Sequence, residues 1–374
     1  MKFELSVVDS IARVDPAAWD TCAQDAPFLT HAFFSALERS GAVSRERRVV
    51  PRYLLVRDPQ GLLLACTPTM LKVGLLTEYG PEHLWLKTGF EQGAFSWPKF
   101  QAGVPLYPIR SRKLLIRPGA PEEALTAVLL DALKRLANER YRSKVLNILQ
   151  VDDASARALE RDGWLLSHET HGFWSNPGHT RFEDYVASLP HRKRHRLNKE
   201  RRKVASLGLT VRTLTGDEIS PSMLRRYYAG HRAVCLRHGN RPWLPIGMYQ
   251  ALVDAMPQSV RLIGAFDGEE FVAGIFCLID SHTLYLRTWS ALSELPELCF
   301  ELVCYAPIEY AIAHRLGRID SGLTGAHKAH RGYTEEPVYT AHWFFDDRLR
   351  ELARTQLSAL GRGTGTTPAV EPDR

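Results

Sequence analysis

The pattern of hydrophobic and polar positions in the first half of the chain predicts alternating helices and strands. Segments 15–24 and 31–41 have apolar residues at helical spacing, and Asp15 is suited to cap the first helix. Apolar runs on either side of the turn 58–61 predict a β-hairpin. Residues 121–140 predict a further helix, and KVLNILQV predicts a buried strand. The half ends in a short helix, ASARALERDG, and a strand, WLLSHETHGFW.

The second half predicts the same plan again. Helices are expected for FEDYVASL and for 191–207, 221–238 and 246–256. LTVRTL is typical of a strand, and a hairpin with its turn at Asp267 and Gly268 is followed by a third strand, HTLYLRTWSA. A long helix at 297–317, with a kink expected near Pro307, then precedes the strand RIDSGL.

This order of elements predicts an α/β protein with mixed sheets covered by helices. Because both halves follow one plan, we expect an internal duplication of the fold. A chain of 374 residues is also longer than most single domains. The expected organisation is two domains, 1–178 and 179–358, followed by a disordered tail at 359–374, where Gly, Thr and Pro occur without an apolar period.

Positive charge is concentrated in one segment at the start of the second domain. The chain has a formal net charge of +6, but residues 191–203 hold eight Lys or Arg against one Glu. This asymmetry favours a polyanionic partner such as RNA or a nucleotide, although a solvated helix face would have the same composition. The residues expected to contact phosphates are Arg192, Lys193, Arg196, Lys199, Arg202 and Lys203.

The six cysteines lie mostly in apolar segments and form no CxxC pair, which argues against a disulfide framework or a zinc knuckle. The N-terminus does not have the pattern of a signal peptide, and no run of about 18 apolar residues occurs. The expectation is therefore a reduced, soluble, cytoplasmic protein without a membrane span. No metal site is predicted either, because cations next to His327 and His330 would crowd a dication.

Several stretches resemble the FemAB-like branch of the GNAT acyltransferase superfamily. They include FLTHAFFSALERSGAV, RFEDYVASLPHRKRHRLNKERRKV, YLRTWSA and CFELVCYAPIEYAI. The most specific is GAHKAHRGYTEEPVYTAHWF (325–344), with its His-Lys-x-x-Arg-Gly core and downstream Ala-His-Trp. The resemblance implies two tandem GNAT-like domains and acyl transfer, as in relatives that take an amino acid from an aminoacyl-tRNA. It fixes neither donor nor acceptor.

The resemblance directs the search for catalytic residues to the C-terminal half. Lys328 is the first candidate, as a cation that stabilises an oxyanion or a donor phosphate. His327 and His330 are candidate bases or proton shuttles, as is His342, because histidine titrates nearest to neutral pH. Glu301 is the preferred general base, with a buried ion pair to Arg287 as the alternative, and Asp320 is a second acid candidate.

The candidate substrate-binding residues lie close to these in sequence. Arg287 and Trp289 are two apart on a predicted strand and should face the same side, where they could hold an acceptor with a charged end and an apolar body. Tyr305 belongs to a polar stripe with Glu301 and Glu309 on the long helix. The remaining candidates are Arg331, Tyr333 and His342.

Three functions compete at this point. The leading hypothesis is transfer of an amino acid from aminoacyl-tRNA to an amine, hydroxylamine or peptidoglycan-precursor acceptor, without a cofactor. The second is a CoA-dependent N-acyltransferase, although the third strand ends in SALSELPELC, which lacks the glycine-rich turn that binds acetyl-CoA in ordinary GNAT enzymes. The third is a non-catalytic GNAT-like pair that binds nucleic acid through the basic segment.

Overall fold

The computed structural model describes residues 2–73, 98–323 and 325–362. The alternation expected for the first half is confirmed. Its helices are α1 (Pro16–Ala23), α2 (His31–Arg39), α3 (Glu122–Arg135) and α4 (Asp153–Arg161). Its strands are β1 (Glu4–Val8), β2 (Val49–Arg57), β3 (Leu63–Lys72), β4 (Lys99–Ala102), β5 (Leu115–Ile116), β6 (Val145–Val151) and β7 (Leu165–Ser175). Short 3-10 turns occur at Ile11–Arg13 and Pro27–Leu29, and a π turn at Leu136–Arg140. As expected, the Asp15 carboxylate accepts a hydrogen bond from Ala18 N at the start of α1.

The second half also follows the predicted order. Its helices are α5 (Phe182–Ser188), α6 (His191–Ala205), α7 (Pro221–Arg237), α8 (Ile246–Ala255), α9 (Pro296–Phe300), α10 (Ala306–Ala313), α11 (Ala326–Ala329) and α12 (Asp347–Arg362). Its strands are β8 (Thr210–Thr215), β9 (Val260–Asp267), β10 (Glu270–Ile279), β11 (Thr283–Ala291), β12 (Arg318–Leu323) and β13 (Thr334–Phe344). Short 3-10 turns occur at Gly216–Glu218 and Pro257–Ser259, and a π turn at Glu301–Tyr305 joins α9 to α10.

Helix α12 was not predicted, and it changes the description of the C-terminus. Because α12 extends to Arg362, residues 359–362 of the expected disordered tail are helical. The rest of that segment, 363–374, lies outside the described residues.

The described chain forms two compact units. Among the described residues, the first comprises those up to 169 together with 337–362, and the second comprises those from 170 to 336. The chain therefore enters the second unit within β7 and returns to the first within β13. The sequence suggested a boundary between 178 and 179 and did not anticipate the return.

A mixed sheet organises the first unit. Its strand order is β1-β2-β3-β4-β6-β13, with β5 beside β3. The pairs are antiparallel except for β4 with β6, and the last strand joins through contacts such as Ala341 opposite Ile148. Helix α3 covers one face, where Leu125, Leu129 and Leu146 are fully buried. The C-terminal chain thus completes the sheet of the N-terminal unit.

The second unit has its own mixed sheet, in the order β7-β12-β11-β10-β9-β8. Its β9–β10 hairpin turns at Gly268, which has a φ of +56° and so adopts the left-handed conformation that glycine tolerates best. Leu286, Leu302 and Ile308 are among the buried residues of its core. The predicted three strands, helix and strand are confirmed here.

Strands β11 and β12 run parallel but remain paired over only part of their length. Their ladder runs from Thr283 opposite Arg318 to Tyr285 opposite Asp320. Past this point, β11 has a bulge, since Cys277 pairs with Leu286 and Phe276 with Thr288, which leaves Arg287 as the extra residue. The register of β12 with β7 also shifts between Asp320 and Leu323. Pairing between β11 and β12 therefore stops in the middle of the second unit, next to the bulge of β11 and the register shift of β12.

The expected kink near Pro307 takes the form of the π turn Glu301–Tyr305. Proline has no N–H, so it cannot bond the carbonyl four residues earlier, which belongs to Val303. The Tyr333 hydroxyl donates to the carbonyls of Val303 and Cys304, at 3.4 Å each. Tyr333 is buried, and its contacts support the helix at its irregular turn.

Candidate active site

The Lys328 side chain lies against the end of β12, beyond the residues that pair with β11. It belongs to the short helix α11 that directly follows β12, and it is 8% exposed. Its Nζ donates to the carbonyls of Ser321 and Leu323, both at 2.7 Å. Burial lowers the pKa of the ammonium to about 8. The result is a buried cation, held on backbone oxygens, that is close to its titration point at physiological pH.

A second buried cation, Arg287, fills the gap between β11 and β12. Its Nη1 donates to the carbonyls of Leu286 and Asp320, at 2.8 and 3.2 Å, so it bonds the backbone of both strands. Its two terminal nitrogens also contact the Asp320 carboxylate at 3.2 and 3.1 Å. Burial would raise the pKa of Asp320, but the guanidinium outweighs it and holds that pKa below its usual value. Asp320 is therefore a carboxylate at neutral pH and cannot donate a proton there.

The expectation that Arg287 and Trp289 face the same side is wrong. Trp289 packs against the core that contains Leu286 and Leu302, whereas Arg287 points into the gap toward Asp320. The cause is the bulge at Arg287, because one extra residue changes the alternation of the strand.

Arg331 is held by an acid that sequence reasoning missed. Its Nε and Nη2 donate to the two carboxylate oxygens of Glu200, at 2.9 and 2.6 Å, and its guanidinium carbon lies 3.5 Å from the centre of the Phe300 ring. The Tyr305 hydroxyl donates to the same carboxylate at 2.8 Å. Glu200 is the one acid in the basic segment 191–203. A single acid among eight basic residues was the feature of the sequence that could have identified Glu200.

Glu301 forms an ion pair, which was the alternative to its role as general base, but with Arg201 and not with Arg287. Arg201 donates to its carboxylate at 2.9 and 3.2 Å and also bonds Glu309 at 2.6 Å. Burial raises the pKa of Glu301, and the Arg201 cation opposes that shift. Glu301 also contributes to a groove of about 750 Å³ beside α6, whose apolar wall includes Val204 and Leu209. Its hydrogen-bond partner is on α6 and not in the Lys328 loop.

The three candidate histidines do not form one site. His342 belongs to the first unit, where its ring nitrogens bond Ser167 Oγ at 2.8 Å and Asn147 Oδ1 at 2.9 Å. Burial and then the Lys99 cation lower its pKa to about 3. His327 and His330 are exposed residues of the second unit. Burial of part of the ring, then the cations Lys328 and Arg331, lower the pKa of His327 to about 4.

Within the described residues, no group of three or more His, Cys, Asp or Glu side chains could hold a metal ion. The same part of the chain contains no helix with the length and hydrophobicity that a bilayer crossing requires.

The basic helix α6 has an outer and an inner face. Arg192, Lys199 and Arg202 are exposed and Arg196 is half-exposed, so these four remain placed to meet a polyanion. Lys193 is turned inward, and its Nζ donates to the Ala329 carbonyl at 3.0 Å. Lys203 forms an ion pair with Glu297. The predicted phosphate contacts thus divide into an exposed set and two lysines that already have protein partners.

The sequence profile of the FemAB-like family, described as peptidoglycan biosynthesis/recognition, matches residues 10–364. The chain belongs to this family. No curated protein shows significant sequence similarity to this FemAB-like chain.

Solved structures with a similar fold include FemX, with a TM-score of 0.56 and 11% identity over 94% of this chain and 99% of FemX. A tandem GNAT protein from the clavulanic acid biosynthesis pathway has a TM-score of 0.50 and 13% identity over 92% of this chain and 98% of that protein. L-PGS from Bacillus licheniformis has a TM-score of 0.50 and 9% identity, with coverage of 87% and 95%. At such identities the likeness establishes the fold, which is the predicted tandem GNAT-like one. Membership of the FemAB-like family, with this fold, supports an acyltransferase of the aminoacyltransferase type.

Proposed function

We propose that the protein transfers an amino acid from an aminoacyl-tRNA to an amine or hydroxylamine of a small acceptor, such as a natural-product intermediate or a cell-wall precursor. The observation that carries the proposal is the setting of Lys328. A buried ammonium is held on two carbonyls, and the adjacent Ala329 carbonyl accepts a hydrogen bond from the basic helix. A cation for a developing negative charge and a surface for a polyanionic donor therefore belong to one unit.

The reaction needs little from the protein beyond positioning and charge. The acceptor nitrogen attacks the ester carbonyl carbon, and the C=O electron pair moves to the oxygen to form an oxyanion. Collapse of this intermediate breaks the bond to the ribose oxygen, which takes up the proton that the nitrogen loses. Lys328 would stabilise the oxyanion, because a preorganised cation in a dry site lowers the energy of that intermediate. Because the ester is already activated, the proposal requires no cofactor.

The proton must pass from the acceptor nitrogen to the ribose. His327 is neutral at pH 7, since its pKa is lowered to about 4, and it is next to Lys328. We assign it the role of proton carrier, with the exposed His330 as the alternative from the same turn. Glu301 is already bonded by Arg201, so we place it in support of α6 and the groove.

The Arg287–Asp320 pair weighs against a donor that enters between β11 and β12. A donor arm that reached the reaction centre through the gap between β11 and β12 would have to displace the Arg287–Asp320 pair, whose side chains are 4% and 3% exposed. Separating a buried pair costs several kcal/mol unless both charges find new partners. A tRNA that approaches from α6 avoids that cost.

The test is a transfer assay with pure protein, tRNAs charged in pools by amino acid, and candidate amine acceptors. We expect product with at least one charged pool, loss of product after RNase treatment, and no product with acetyl-CoA alone. Product that survives RNase, or that forms with acetyl-CoA, would disprove the tRNA donor. Binding of tRNA without product from any pool would instead favour the non-catalytic, nucleic-acid-binding alternative.

A further inference from the structure

The loop that carries Lys328 is held mainly by the two helices that precede β8. Glu200 of α6 bonds Arg331 through both carboxylate oxygens, and Lys193 of α6 donates to the Ala329 carbonyl. From α5, the Tyr185 hydroxyl donates to the Arg331 carbonyl at 2.9 Å. Three side chains, two of them two turns apart on α6 and one on α5, thus hold the loop 326–331.

The Glu200–Arg331 contact is the strongest of these links. The two side chains are 14% and 5% exposed, and the geometry is bidentate. Charge-assisted, bidentate pairs are stronger and more directional than single hydrogen bonds. Loss of one partner would leave the other charge largely buried and unbalanced. The position of Arg331 therefore follows the position of Glu200 closely.

Arg331 passes this constraint to Lys328 within one turn of chain. Its backbone N–H donates to the Lys328 carbonyl at 2.9 Å, and its Nη1 donates to the His327 carbonyl at 2.8 Å. A displacement of Arg331 would move both residues. Through this turn Glu200 is linked to the ammonium proposed to act in transfer.

Two cations lie beside Glu200 on α6. Lys199 precedes it and is exposed, and Arg196 lies one turn earlier on the same side of the helix, half-exposed. Phosphates bound by these cations would restrain α6 next to the carboxylate that holds the loop through Arg331.

We propose that Glu200 is a positioning residue that couples binding of a polyanionic donor on the outer face of α6 to the placement of Lys328. The inference rests on the proposed function, because the coupling would serve transfer from tRNA. Its test measures tRNA binding and hydrogen exchange and does not require transfer. Binding of RNA to α6 should restrain the loop 326–331 further in the intact protein, because the loop hangs on this helix through Glu200, and should fail to do so without the Glu200 carboxylate.

Hydrogen exchange of backbone amides, measured with and without uncharged tRNA, tests this coupling. In the wild type we expect tRNA to slow exchange in both 191–205 and 326–333, the latter by about fivefold or more, as a typical coupling free energy implies. In Glu200→Gln we expect slower exchange in 191–205 only. Glu309→Gln is the matched control, because Glu309 bonds the neighbouring Arg201 outside the loop, and it should respond like the wild type.

Each other outcome overturns the coupling. It fails if tRNA does not bind, if the loop of the wild type does not respond, or if Glu200→Gln retains the full response. Should Glu200→Gln not fold, Arg331→Lys removes the bidentate contact from the other side and should give the same loss. A wild type whose loop responds but which transfers no amino acid would disprove the proposed function and leave the coupling intact.

Discussion

Lys113 in the first unit and Lys328 in the second are both buried lysines that donate to backbone carbonyls. Burial lowers the pKa of Lys113 to about 7 and that of Lys328 to about 8. Lys113 has four acceptors, the carbonyls of Ile109, Ser111 and Gln150 and the Ser111 hydroxyl. The described residues give Lys328 two. An ammonium has three N–H donors, so the acceptors around Lys113 occupy all of its donors, whereas the two acceptors of Lys328 occupy two of three.

Burial and a lowered pKa are therefore common to both lysines, and the number of acceptors is what distinguishes them. Both side chains sit where the chain is irregular, since Gln150 has a φ of +40° and Gly322 a φ of +67°. At Gln150, all the N–H donors of Lys113 have acceptors. Near Gly322, Lys328 has two acceptors among the described residues.

The largest expected effect is on catalysis by Lys328→Met. Loss of the cation should lower kcat by about 10²–10³-fold, which is the usual effect of removing one oxyanion donor. The transfer assay measures this, with Lys113→Met as the matched control that removes a buried lysine from the other unit. Equal losses in both variants would contradict the distinction.

The next effect is on stability and applies to Lys113→Met. The carbonyls of Ile109 and Ser111 lose the donor that Lys113 supplies, whereas the Gln150 carbonyl keeps the Ser111 N–H. Each unsatisfied group costs about 1–3 kcal/mol, so we expect a loss of about 2 kcal/mol or more. Urea unfolding followed by circular dichroism measures it. A variant as stable as the wild type would show that the four contacts of Lys113 contribute little.

A smaller effect is expected on tRNA binding from Lys199→Glu on α6. The loss of one phosphate contact should weaken binding by about five- to tenfold and reduce the slope of log K against log salt by about 0.9. Filter binding across a salt series gives both values. Arg157→Glu is the control, since Arg157 is an exposed cation on α4 of the first unit and should leave the slope unchanged.

The smallest effect, a change of about twofold at pH 8, concerns the pH dependence of the rate. Lys328 is charged below its pKa of about 8 and becomes neutral above it, so the wild-type rate should fall by about half at pH 8 and about tenfold at pH 9 as the cation is lost. Lys328→Arg keeps the charge at these pH values and should remove the decline, although its absolute rate is lower. A pH–rate profile of both proteins decides the matter, and a decline that persists in Lys328→Arg would assign it to another group.

Much of the fold followed from local pattern. The hairpin turn at Gly268, the cap at Asp15 and the order of strands in the second unit all depend on residues close in sequence, and each is confirmed. Lys328 and Arg331 were named as candidates from their motif, and the structure places them in one turn. Their catalytic roles stay predictions.

The remaining features depend on pairing between distant segments. The bulge at Arg287 arises from the register of β11 against β10, which alternation within β11 cannot reveal. The alternative considered for Glu301, an ion pair with Arg287, named the wrong arginine, because its partner is Arg201, a residue 100 positions away. Glu200 is the one acid in a basic segment of the sequence, but its ion pair with Arg331 forms only when the chain folds.

The return of the chain through β13 has a consequence for biosynthesis. Domains usually fold in the order in which the ribosome releases them, N-terminal first. Here β6 acquires its neighbour β13 only when residues near Ala341 have been made, whereas the sheet of the second unit draws its strands from residues 170–336. On the ribosome, the later-encoded unit can therefore complete its sheet before the earlier one, and the N-terminal unit must wait with an exposed strand edge until residues 337–344 have been translated.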